Sequence, residues 1–315
     1  MAKYIPSFQT VAKGSFYFAA GVTVVAGALL YYGQNYLIYP ASFPQGSRTF
    51  VATPAEFGVP YEEVTLKTPD GVQIRGYLMK QRVDLPQELK SQQVESHSDL
   101  SDDEFASTRP TVMMYHGNAG NIGHRLPLAR LFYAKMRCNV VFVSYRGYGL
   151  SDGNPSEKGL RIDAQTTLNW VLEHPILGNT KVVLYGQSIG GAVSIDLASR
   201  NLDAVRGVIV ENTFLSIPRL VPSVMPMLAP FVWLCHQHWD NARAVTRIPP
   251  TTPMLFLSGL RDEIVPPSHM AELFRIACAN GEKGRTWVDF PSGAHNDTCA
   301  QSGYWTAVTQ FLKSL

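Results

Sequence analysis

Short apolar runs alternate with helical stretches along most of the chain. Eight runs rich in β-branched and aromatic residues predict strands, at 62–67, 72–80, 111–115, 140–145, 181–185, 206–210, 253–258 and 285–290. The last six lack strict alternation of apolar and polar positions, which is typical of strands covered on both faces. Helical patterns lie near 123–137, 155–173, 188–200, 266–280 and 300–314. This order predicts an α/β fold with a mostly parallel, eight-stranded sheet flanked by helices.

The first two predicted strands are joined by Thr68-Pro69-Asp70-Gly71. Proline and an Asp-Gly pair are strong turn formers. We therefore expect an antiparallel hairpin at the start of the folded domain, which we place at 61–315.

The first 39 residues show a different pattern. No charged residue occurs between Lys13 and Arg48, and residues 16–33 are apolar almost throughout. Eighteen residues make a helix of roughly 27 Å, close to the ~30 Å hydrocarbon core of a bilayer. Residues 1–39 are therefore predicted to be a membrane anchor with a transmembrane helix at about 16–33. Tyrosines at its distal end suit a membrane interface, and they are Tyr31, Tyr32, Tyr36 and Tyr39.

The charges around the apolar segment indicate an orientation. Lys3 and Lys13 precede it, and no basic residue follows it closely. The excess of positive charge on the cytoplasmic side of membrane proteins then predicts a single-pass anchor with a cytoplasmic N-terminus. Two alternatives remain open here: a signal peptide cleaved near Ala26-Gly27-Ala28, and a buried core helix.

Two segments of unusual composition frame the first strands. Residues 40–60 contain four prolines among small polar residues, which predicts a linker. Residues 82–109 are acidic and rich in serine and glutamine. Such a segment buries too little apolar surface to offset its ordering entropy, so we expect a flexible surface insertion. A partner-binding loop is the alternative for this insertion.

Residues 212–250 interrupt the alternation of strands and helices. Prolines recur among Leu, Met, Phe and Trp in this segment, which is too long for a simple loop and too rich in proline for one straight helix. We expect a small helical cap over one end of the sheet. Its apolar side chains could line a pocket for an acyl chain or could pack the cap onto the domain, and the two roles are compatible.

Composition excludes several classes of protein. The chain has 315 residues, 45% of them hydrophobic, with 27 basic and 25 acidic residues. This near balance leaves no basic surplus for a nucleic-acid surface. The four cysteines form no CxxC pair, so no metal site is expected, and neither a P-loop nor a GxGxxG motif suggests a cofactor.

The segment Gly186-Gln187-Ser188-Ile189-Gly190 follows one predicted strand and opens a helix. A serine on such a sharp turn projects its hydroxyl above the edge of the sheet, and glycines two residues before and after it relieve crowding. The start of the helix also favours the negative charge that forms during acyl transfer. Ser188 is therefore the candidate nucleophile, with Gly186 and Gly190 shaping the turn.

A serine nucleophile needs a base and an acid that orients the base. His295 lies on a loop between the last strand and the last helix, and Asp262 follows the strand before it. The order Ser188, Asp262, His295 is the one that α/β-hydrolases use. Glu263 is the rival acid.

The oxyanion of a tetrahedral intermediate needs backbone donors. The N–H of Ile189 directly follows the nucleophile. A second donor should come from the glycine-containing loop 116–121, where Asn118 is the candidate. His116 and His124, in and after this loop, are expected to be structural.

The longer motifs around these positions resemble a known family. The chain from about 60 to 315 is similar to the α/β-hydrolase superfamily. It resembles most the membrane-anchored branch that holds α/β-hydrolase-domain-containing protein 13 and the fungal bud-emergence proteins. The motifs are HGNAGNIGHR at 116–125, SYRGYGLSDGNPSEKGL at 144–160, GQSIGGAVS at 186–194 and RDEIVP at 261–266.

The resemblance implies a serine hydrolase with the triad Ser188, Asp262 and His295, single-pass and often associated with the endoplasmic reticulum. A neighbouring branch hydrolyses palmitoyl thioesters on proteins. We therefore expect a membrane-anchored enzyme that cleaves carboxylic esters or acyl thioesters, with the acyl substrate and the bilayer as its partners. The alternatives are a non-catalytic membrane scaffold on the same fold, and an acyltransferase or peptidase that uses the same triad.

Overall fold

The strands form one sheet with the predicted mixture of directions. The computed structural model describes residues 7–86, 89, 99–279 and 281–315. Its sheet has eight strands in the order β1-β2-β4-β3-β5-β6-β7-β8. They are β1 Glu62–Lys67, β2 Gln73–Met79, β3 Thr111–Tyr115, β4 Asn139–Val143, β5 Val182–Gln187, β6 Val205–Glu211, β7 Met254–Gly259 and β8 Arg285–Phe290. Every strand predicted from the apolar runs is present, so the eight-stranded sheet is confirmed.

The pairing explains why the first strands look different in sequence. β1 pairs antiparallel with β2, with Glu62 opposite Leu78, and β2 pairs antiparallel with β4. All other neighbours in the sheet are parallel. The predicted hairpin turn is closed by Gly71, whose N–H donates to the Thr68 carbonyl at 2.9 Å and whose φ is +86°. Glycine has no Cβ and adopts a positive φ without steric strain, which accounts for its place in this turn.

Nine α-helices occur in the described part of the chain. They are α1 Phe8–Ile38, α2 Asp102–Thr108, α3 Leu126–Ala134, α4 Glu157–Glu173, α5 Ile189–Arg200, α6 Ile217–Val224, α7 Asn241–Val245, α8 Pro267–Cys278 and α9 Tyr304–Lys313. Short 3₁₀ segments include Pro54–Phe57, Ile122–Arg125 and Pro226–Leu234. The five helices predicted between strands are present, although 123–137 is divided into a 3₁₀ turn and α3.

Helices cover both faces of the sheet, as the lack of alternation in the strands predicted. One core contains Leu184 of β5 together with buried side chains of α4, α5 and α8. The other contains Val183 and Tyr185 of the same strand, packed with α3 and α9. Successive residues of a strand point to opposite faces, so β5 is apolar at every position that faces a helix layer.

Helix α1 is long and exposed. It has 31 residues, whereas the sequence predicted a span at about 16–33, and Ser7 caps its first turn. By length and composition it is able to cross a membrane, and its most apolar window is 0% buried within the protein. That exposure disagrees with the alternative of a buried core helix.

The predicted linker 40–60 lies against the domain over much of its length. Asn121 donates from its side-chain amide to the carbonyls of Ser47 and Phe50, at 2.9 and 2.8 Å. The Gly120 N–H donates to the Phe43 carbonyl at 2.7 Å. The segment is therefore hydrogen-bonded to the loop that follows β3, which its composition did not indicate.

Part of the insertion 82–109 is folded, which differs from the prediction of a flexible surface segment. Helix α2 is capped by Ser101, and its Phe105 is only 3% exposed. Lys80 on the end of β2 pairs with Asp103 at 2.6 Å. The cap, the buried Phe105 and the ion pair of Asp103 together hold this short helix, although the average composition of the segment is polar. Residues 87–88 and 90–98 of the insertion lie outside the described residues.

The cap over the sheet is helical, as predicted. It consists of α6, the 3₁₀ segment Pro226–Leu234 and α7. Pro222 lies inside α6 and Pro230 inside the 3₁₀ segment, and the 3₁₀ segment buries none of its residues. The cap stands above the carboxyl ends of the strands, which is the edge where ligands bind in open α/β sheets.

Candidate active site

Ser188 occupies a strained turn between β5 and α5. Its φ of +55° and ψ of −120° lie in a region that L-residues rarely adopt. The backbone there is held from two sides: the Ser188 N–H donates to the Glu211 carbonyl at 2.9 Å, and the Thr213 hydroxyl donates to the Ser188 carbonyl at 2.7 Å. Such strain costs about 1–3 kcal/mol and persists only where the surrounding structure enforces it.

The glycines on either side of Ser188 leave no space for a side chain. A Cβ on Gly186 would lie 2.1 Å from the Gly190 carbonyl oxygen, and one on Gly190 would lie 2.0 Å from the Tyr115 carbonyl oxygen. Both contacts are with backbone atoms, which cannot move away as a flexible side chain would. The turn therefore requires glycine at both positions.

His295 and Asp262 form a buried pair at the same edge of the sheet. The Nδ1 atom of His295 lies 2.8 Å from Oδ2 of Asp262, and the two side chains are 7% and 1% exposed. The second oxygen of Asp262 accepts the backbone N–H groups of Ile264 and Val265, at 2.9 and 2.8 Å. With both oxygens engaged, the carboxylate has a fixed orientation towards the imidazole.

The rival acid, Glu263, contacts the backbone of His295 and not its ring. Oε2 of Glu263 accepts the His295 N–H at 3.2 Å, and the side chain is exposed. Hydrogen bonds from its own backbone and from that of His295 lower the pKa of the Glu263 carboxyl. This arrangement separates the two acids: Asp262 faces the imidazole, and Glu263 braces the loop.

Two residues that the sequence did not single out hold the His295 loop. Gln187 donates from Nε2 to the His295 carbonyl at 2.7 Å. Asn212 donates to the same carbonyl at 3.3 Å, while its Oδ1 accepts the Gly259 N–H at 2.8 Å. Their positions in the sequence could have indicated this role, because Gln187 is the last residue of β5 and Asn212 directly follows β6.

The loop 116–121 brings backbone donors towards Ser188. Among the described residues, the N–H groups of Asn118 and Ile189 donate no backbone hydrogen bond outside the helices and strands. Both polar atoms of the Asn118 side chain are engaged, because its oxygen accepts the Tyr148 hydroxyl at 2.7 Å and its nitrogen donates to the Ile38 carbonyl. The side chain therefore fixes the loop while leaving its backbone N–H free.

The two histidines of this region have contacts that suit a structural role. Burial lowers the pKa of His116 to about 4, so its imidazole is neutral at neutral pH. Its Nδ1 lies 2.8 Å from the Gly117 carbonyl, and its ring packs 4.3 Å, centroid to centroid, from that of Tyr145. His124 accepts the Asn121 N–H at 3.0 Å and so closes the 3₁₀ turn.

Beneath the site lies a buried carboxyl group that the sequence analysis missed. Glu211 is 0% exposed, and its Oε2 accepts the hydroxyls of Tyr185 and Tyr304 at 2.7 and 2.6 Å. Its Oε1 has no hydrogen-bond partner among the described residues. Burial raises the pKa of Glu211, with the two tyrosine hydroxyls acting in the opposite direction.

A cavity of about 440 Å³ opens above these groups. Ser188, Ile189, Asn118 and His295 all line it, so four of the predicted site residues face one space. Within the described chain the Ser188 hydroxyl makes no hydrogen bond, and it faces the cavity without a partner. The remaining walls are mostly apolar side chains of the cap and of α1.

The site offers nothing for a metal ion in the part of the chain that the structure describes. No group of three or more His, Cys, Asp or Glu residues there is arranged to hold one. All four cysteines, which lie within the described ranges, are free thiols.

Comparisons with known proteins identify the family. A family model described as the alpha/beta hydrolase fold matches residues 110–239. The bem46 protein of Schizosaccharomyces pombe is 45% identical over 292 residues, which cover 92% of this chain and 89% of bem46. The chain belongs to the α/β-hydrolase family.

Two further α/β-hydrolase relatives cover nearly the whole chain. An uncharacterized membrane protein of Saccharomyces cerevisiae is 39% identical over 92% of this chain and 93% of its own length. The α/β-hydrolase domain-containing protein WAV2 of Arabidopsis thaliana is 35% identical over 96% and 95%. These relatives place the chain in the bud-emergence branch, as its motifs predicted.

Solved structures agree with the α/β-hydrolase fold. An esterase from Pyrococcus furiosus superposes with a TM-score of 0.66 at 17% identity, over 85% of this chain and 96% of the esterase. An acetyl xylan esterase from Paenibacillus gives a TM-score of 0.60 at 16% identity, over 82% and 84%. At this level of identity the likeness shows the shared fold.

Proposed function

We propose that the chain is a membrane-anchored serine hydrolase that cleaves carboxylic esters or acyl thioesters through Ser188, His295 and Asp262. The observation that carries the proposal is the strained turn at Ser188, which lines the same cavity as His295, the partner of the buried Asp262. The fold has no structural need for a serine at positive φ, so the strain at this position favours a catalytic role.

The first half of the reaction forms an acyl-enzyme. Ser188 Oγ attacks the acyl carbonyl carbon as its proton passes to His295 Nε2, and Asp262 stabilises the resulting imidazolium through Nδ1–H. The oxyanion accepts the backbone N–H groups of Asn118 and Ile189. The carbon–oxygen or carbon–sulfur bond then breaks, and His295 returns its proton to the departing alcohol or thiol.

The second half releases the acid. Water attacks the acyl carbon while His295 takes one of its protons, and the same backbone donors hold the oxyanion. The bond to Ser188 Oγ breaks, and the serine oxygen regains the proton from His295. The products are a carboxylic acid and the free enzyme.

The cavity supports acyl chains of the lipid or palmitoyl type as substrates. Its walls away from Ser188 are apolar and come from the cap, for example Leu220, Val221 and Phe231. Its volume of about 440 Å³ lies in the range of small-molecule sites. Long acyl groups bury more apolar area here than short ones, which favours them energetically.

Helix α1 supports a single-pass anchor, because it is long and apolar enough to span a bilayer. Lys3 and Lys13 before the apolar run favour a cytoplasmic N-terminus, and the family resemblance favours the endoplasmic reticulum or another endomembrane. Protease treatment of sealed microsomes tests this topology with epitope tags at the two ends. We expect digestion of the N-terminal tag and protection of the C-terminal one. Digestion of the C-terminal tag alone would reverse the proposed orientation.

Labelling with a fluorophosphonate probe tests the catalytic proposal. The full-length protein in detergent should be labelled, and mass spectrometry should place the adduct on Ser188. Ser188→Ala should abolish labelling, whereas Ser292→Ala, a change at an exposed serine near His295, should retain it. Absence of labelling in folded wild-type protein would favour the scaffold, and transfer of the acyl group to an acceptor in place of water would favour an acyltransferase.

A further inference from the structure

The C-terminal part of α1 forms a wall of the active-site cavity. Leu30, Gln34, Leu37 and Ile38 line the same space as Ser188. These four positions follow the spacing i, i+4, i+7 and i+8, so they share one face of the helix. The helix that reaches the membrane is thus also a component of the site.

Hydrogen bonds fix this part of α1 to the cap and to the loop after β3. Gln34, only 7% exposed, accepts the His236 N–H at 2.9 Å and donates to the Leu234 carbonyl at 3.3 Å. The Ile38 carbonyl accepts the side-chain amide of Asn118. The wall is therefore held in place by contacts on both sides of the cavity.

The length of α1 accounts for both roles. Its 31 residues extend about 46 Å, whereas the hydrocarbon core of a bilayer is about 30 Å thick. The apolar run at about 16–33 accounts for the span, and residues 34–38 continue the helix beyond it. Leu30 therefore lies near the distal end of the span, and Gln34, Leu37 and Ile38 lie just beyond it. The cavity then opens at the level of the membrane surface.

The cap exposes large apolar side chains beside this wall. Met227 is 89% exposed and Trp233 is 77% exposed, and both lie in the 3₁₀ segment that contacts α1. Phe231 and Val224 are each 44% exposed. A cluster of this kind is costly in water, and tryptophan is enriched at membrane interfaces.

We propose that the cavity takes an acyl chain directly from the bilayer, along the inner face of α1, and that the substrate is therefore a membrane-resident lipid ester. This proposal rests on the proposed serine hydrolase activity. The acyl chain passes between α1 and the cap and brings the ester carbonyl to Ser188. The anchor then determines acyl-chain selectivity as well as location.

Substitutions on the two sides of α1 test the proposal. The full-length protein in phosphatidylcholine vesicles is assayed with p-nitrophenyl acetate and p-nitrophenyl decanoate. Leu30→Trp places a larger side chain in the cavity and leaves less room for a long acyl chain. We therefore expect the ratio of kcat/KM for decanoate over acetate to fall by about tenfold. Leu29→Trp is the matched control, because Leu29 is 70% exposed and does not line the cavity.

A smaller side chain at the same position provides a second test in case Leu30→Trp does not fold. Leu30→Ala enlarges the cavity and should shift the substrate preference towards chains longer than decanoate. Equal effects of Leu29→Trp and Leu30→Trp, or an unchanged ratio in both variants of Leu30, would overturn the proposal. A wild-type protein without esterase activity and without Ser188 labelling would overturn the hydrolase assignment instead.

A measurement that needs no enzymatic turnover tests the binding of an acyl chain separately from the hydrolase activity. Ser188→Ala protein is irradiated in vesicles that contain phosphatidylcholine with a diazirine-bearing acyl chain. We expect crosslinks on cavity-lining side chains such as Leu37 and Leu228, and their loss in the Leu30→Trp background. Crosslinks confined to outward-facing residues such as Leu29 and Tyr32 would refute the binding of a lipid acyl chain in the cavity. This outcome does not depend on whether the protein is an enzyme.

Discussion

The catalytic edge of the sheet and the cap above it are stabilised in different ways. At the edge, polar groups are buried and most are held by two or more hydrogen bonds, as for Asp262 and Asn212. In the cap, the segment 226–234 buries no residue and presents apolar side chains on both sides. The comparison teaches that buried hydrogen bonds hold the sheet edge, whereas the segment 226–234 has no buried residue that would hold it in the same way.

The largest effect is expected at Asp262, the acid of the proposed triad. Asp262→Asn keeps the shape but leaves the imidazole in the wrong tautomer, which lowered kcat by about 10⁴ in a well-studied serine protease. We expect a loss of that order in ester hydrolysis. Glu263→Gln is the control and should lose far less, because its carboxylate contacts backbone N–H groups and not the imidazole of His295. Similar losses in both variants would leave the acid unassigned between them.

The thermal stability of Gly190→Ala tests how rigidly the turn at this edge of the sheet is held. The added Cβ would lie 2.0 Å from the Tyr115 carbonyl oxygen, so the backbone must move. We expect a cost of about 3 kcal/mol, which lowers Tm by about 6–12 °C. Gly27→Ala, where the added carbon meets nothing within 4 Å, should leave Tm unchanged. An unchanged Tm in Gly190→Ala would show that the turn is less tightly held than described.

Glu211 gives the rigid edge a pH dependence. Burial raises its pKa in the folded protein, so the folded state holds this proton more tightly than the unfolded state. The stabilisation is complete below the unfolded pKa and is lost as pH rises through the folded one. The difference in Tm between Glu211→Gln and the wild type should therefore grow between pH 5 and pH 8. Each kcal/mol of unfolding free energy that the wild type loses corresponds to about 2–4 °C. A difference that shrinks with pH would contradict the raised pKa.

The cap should show the smallest effect. Trp233 is 77% exposed, so Trp233→Gln removes little packing. We expect its free energy of unfolding in detergent to change by no more than about 0.5 kcal/mol. Chemical denaturation of the full-length protein measures it. A loss of several kcal/mol would show that the cap is as firmly built as the catalytic edge.

The sequence predicted most of the sheet because its signals are local. Apolar runs and Gly-rich turns located every strand, and the spacing around Ser188 already described a tight strand-to-helix turn. The contacts of Gln187 and Asn212 with the His295 loop could not be predicted, because they join residues more than 80 positions apart. Nothing in either side chain's neighbourhood in sequence indicates such a partner.

The tertiary contacts of the anchor and the fold of the insertion could not be predicted, for related reasons. The apolar run located the helix, but the hydrogen bond between Gln34 and His236 joins residues 202 positions apart. In the insertion, the buried Phe105 stands in a polar segment whose average composition predicts disorder. Average properties of a segment conceal a single residue that finds a tertiary contact.

The junction at Tyr39 has a practical consequence for producing the protein. Its side chain is 3% exposed, and its hydroxyl donates to Gln237 at 3.2 Å and accepts the Trp239 indole N–H at 2.9 Å. A recombinant fragment that starts at residue 40, where composition suggests a boundary, would strand that indole without a partner. Expression trials for a water-soluble version should retain the chain from Gln34 onwards and substitute its exposed apolar side chains.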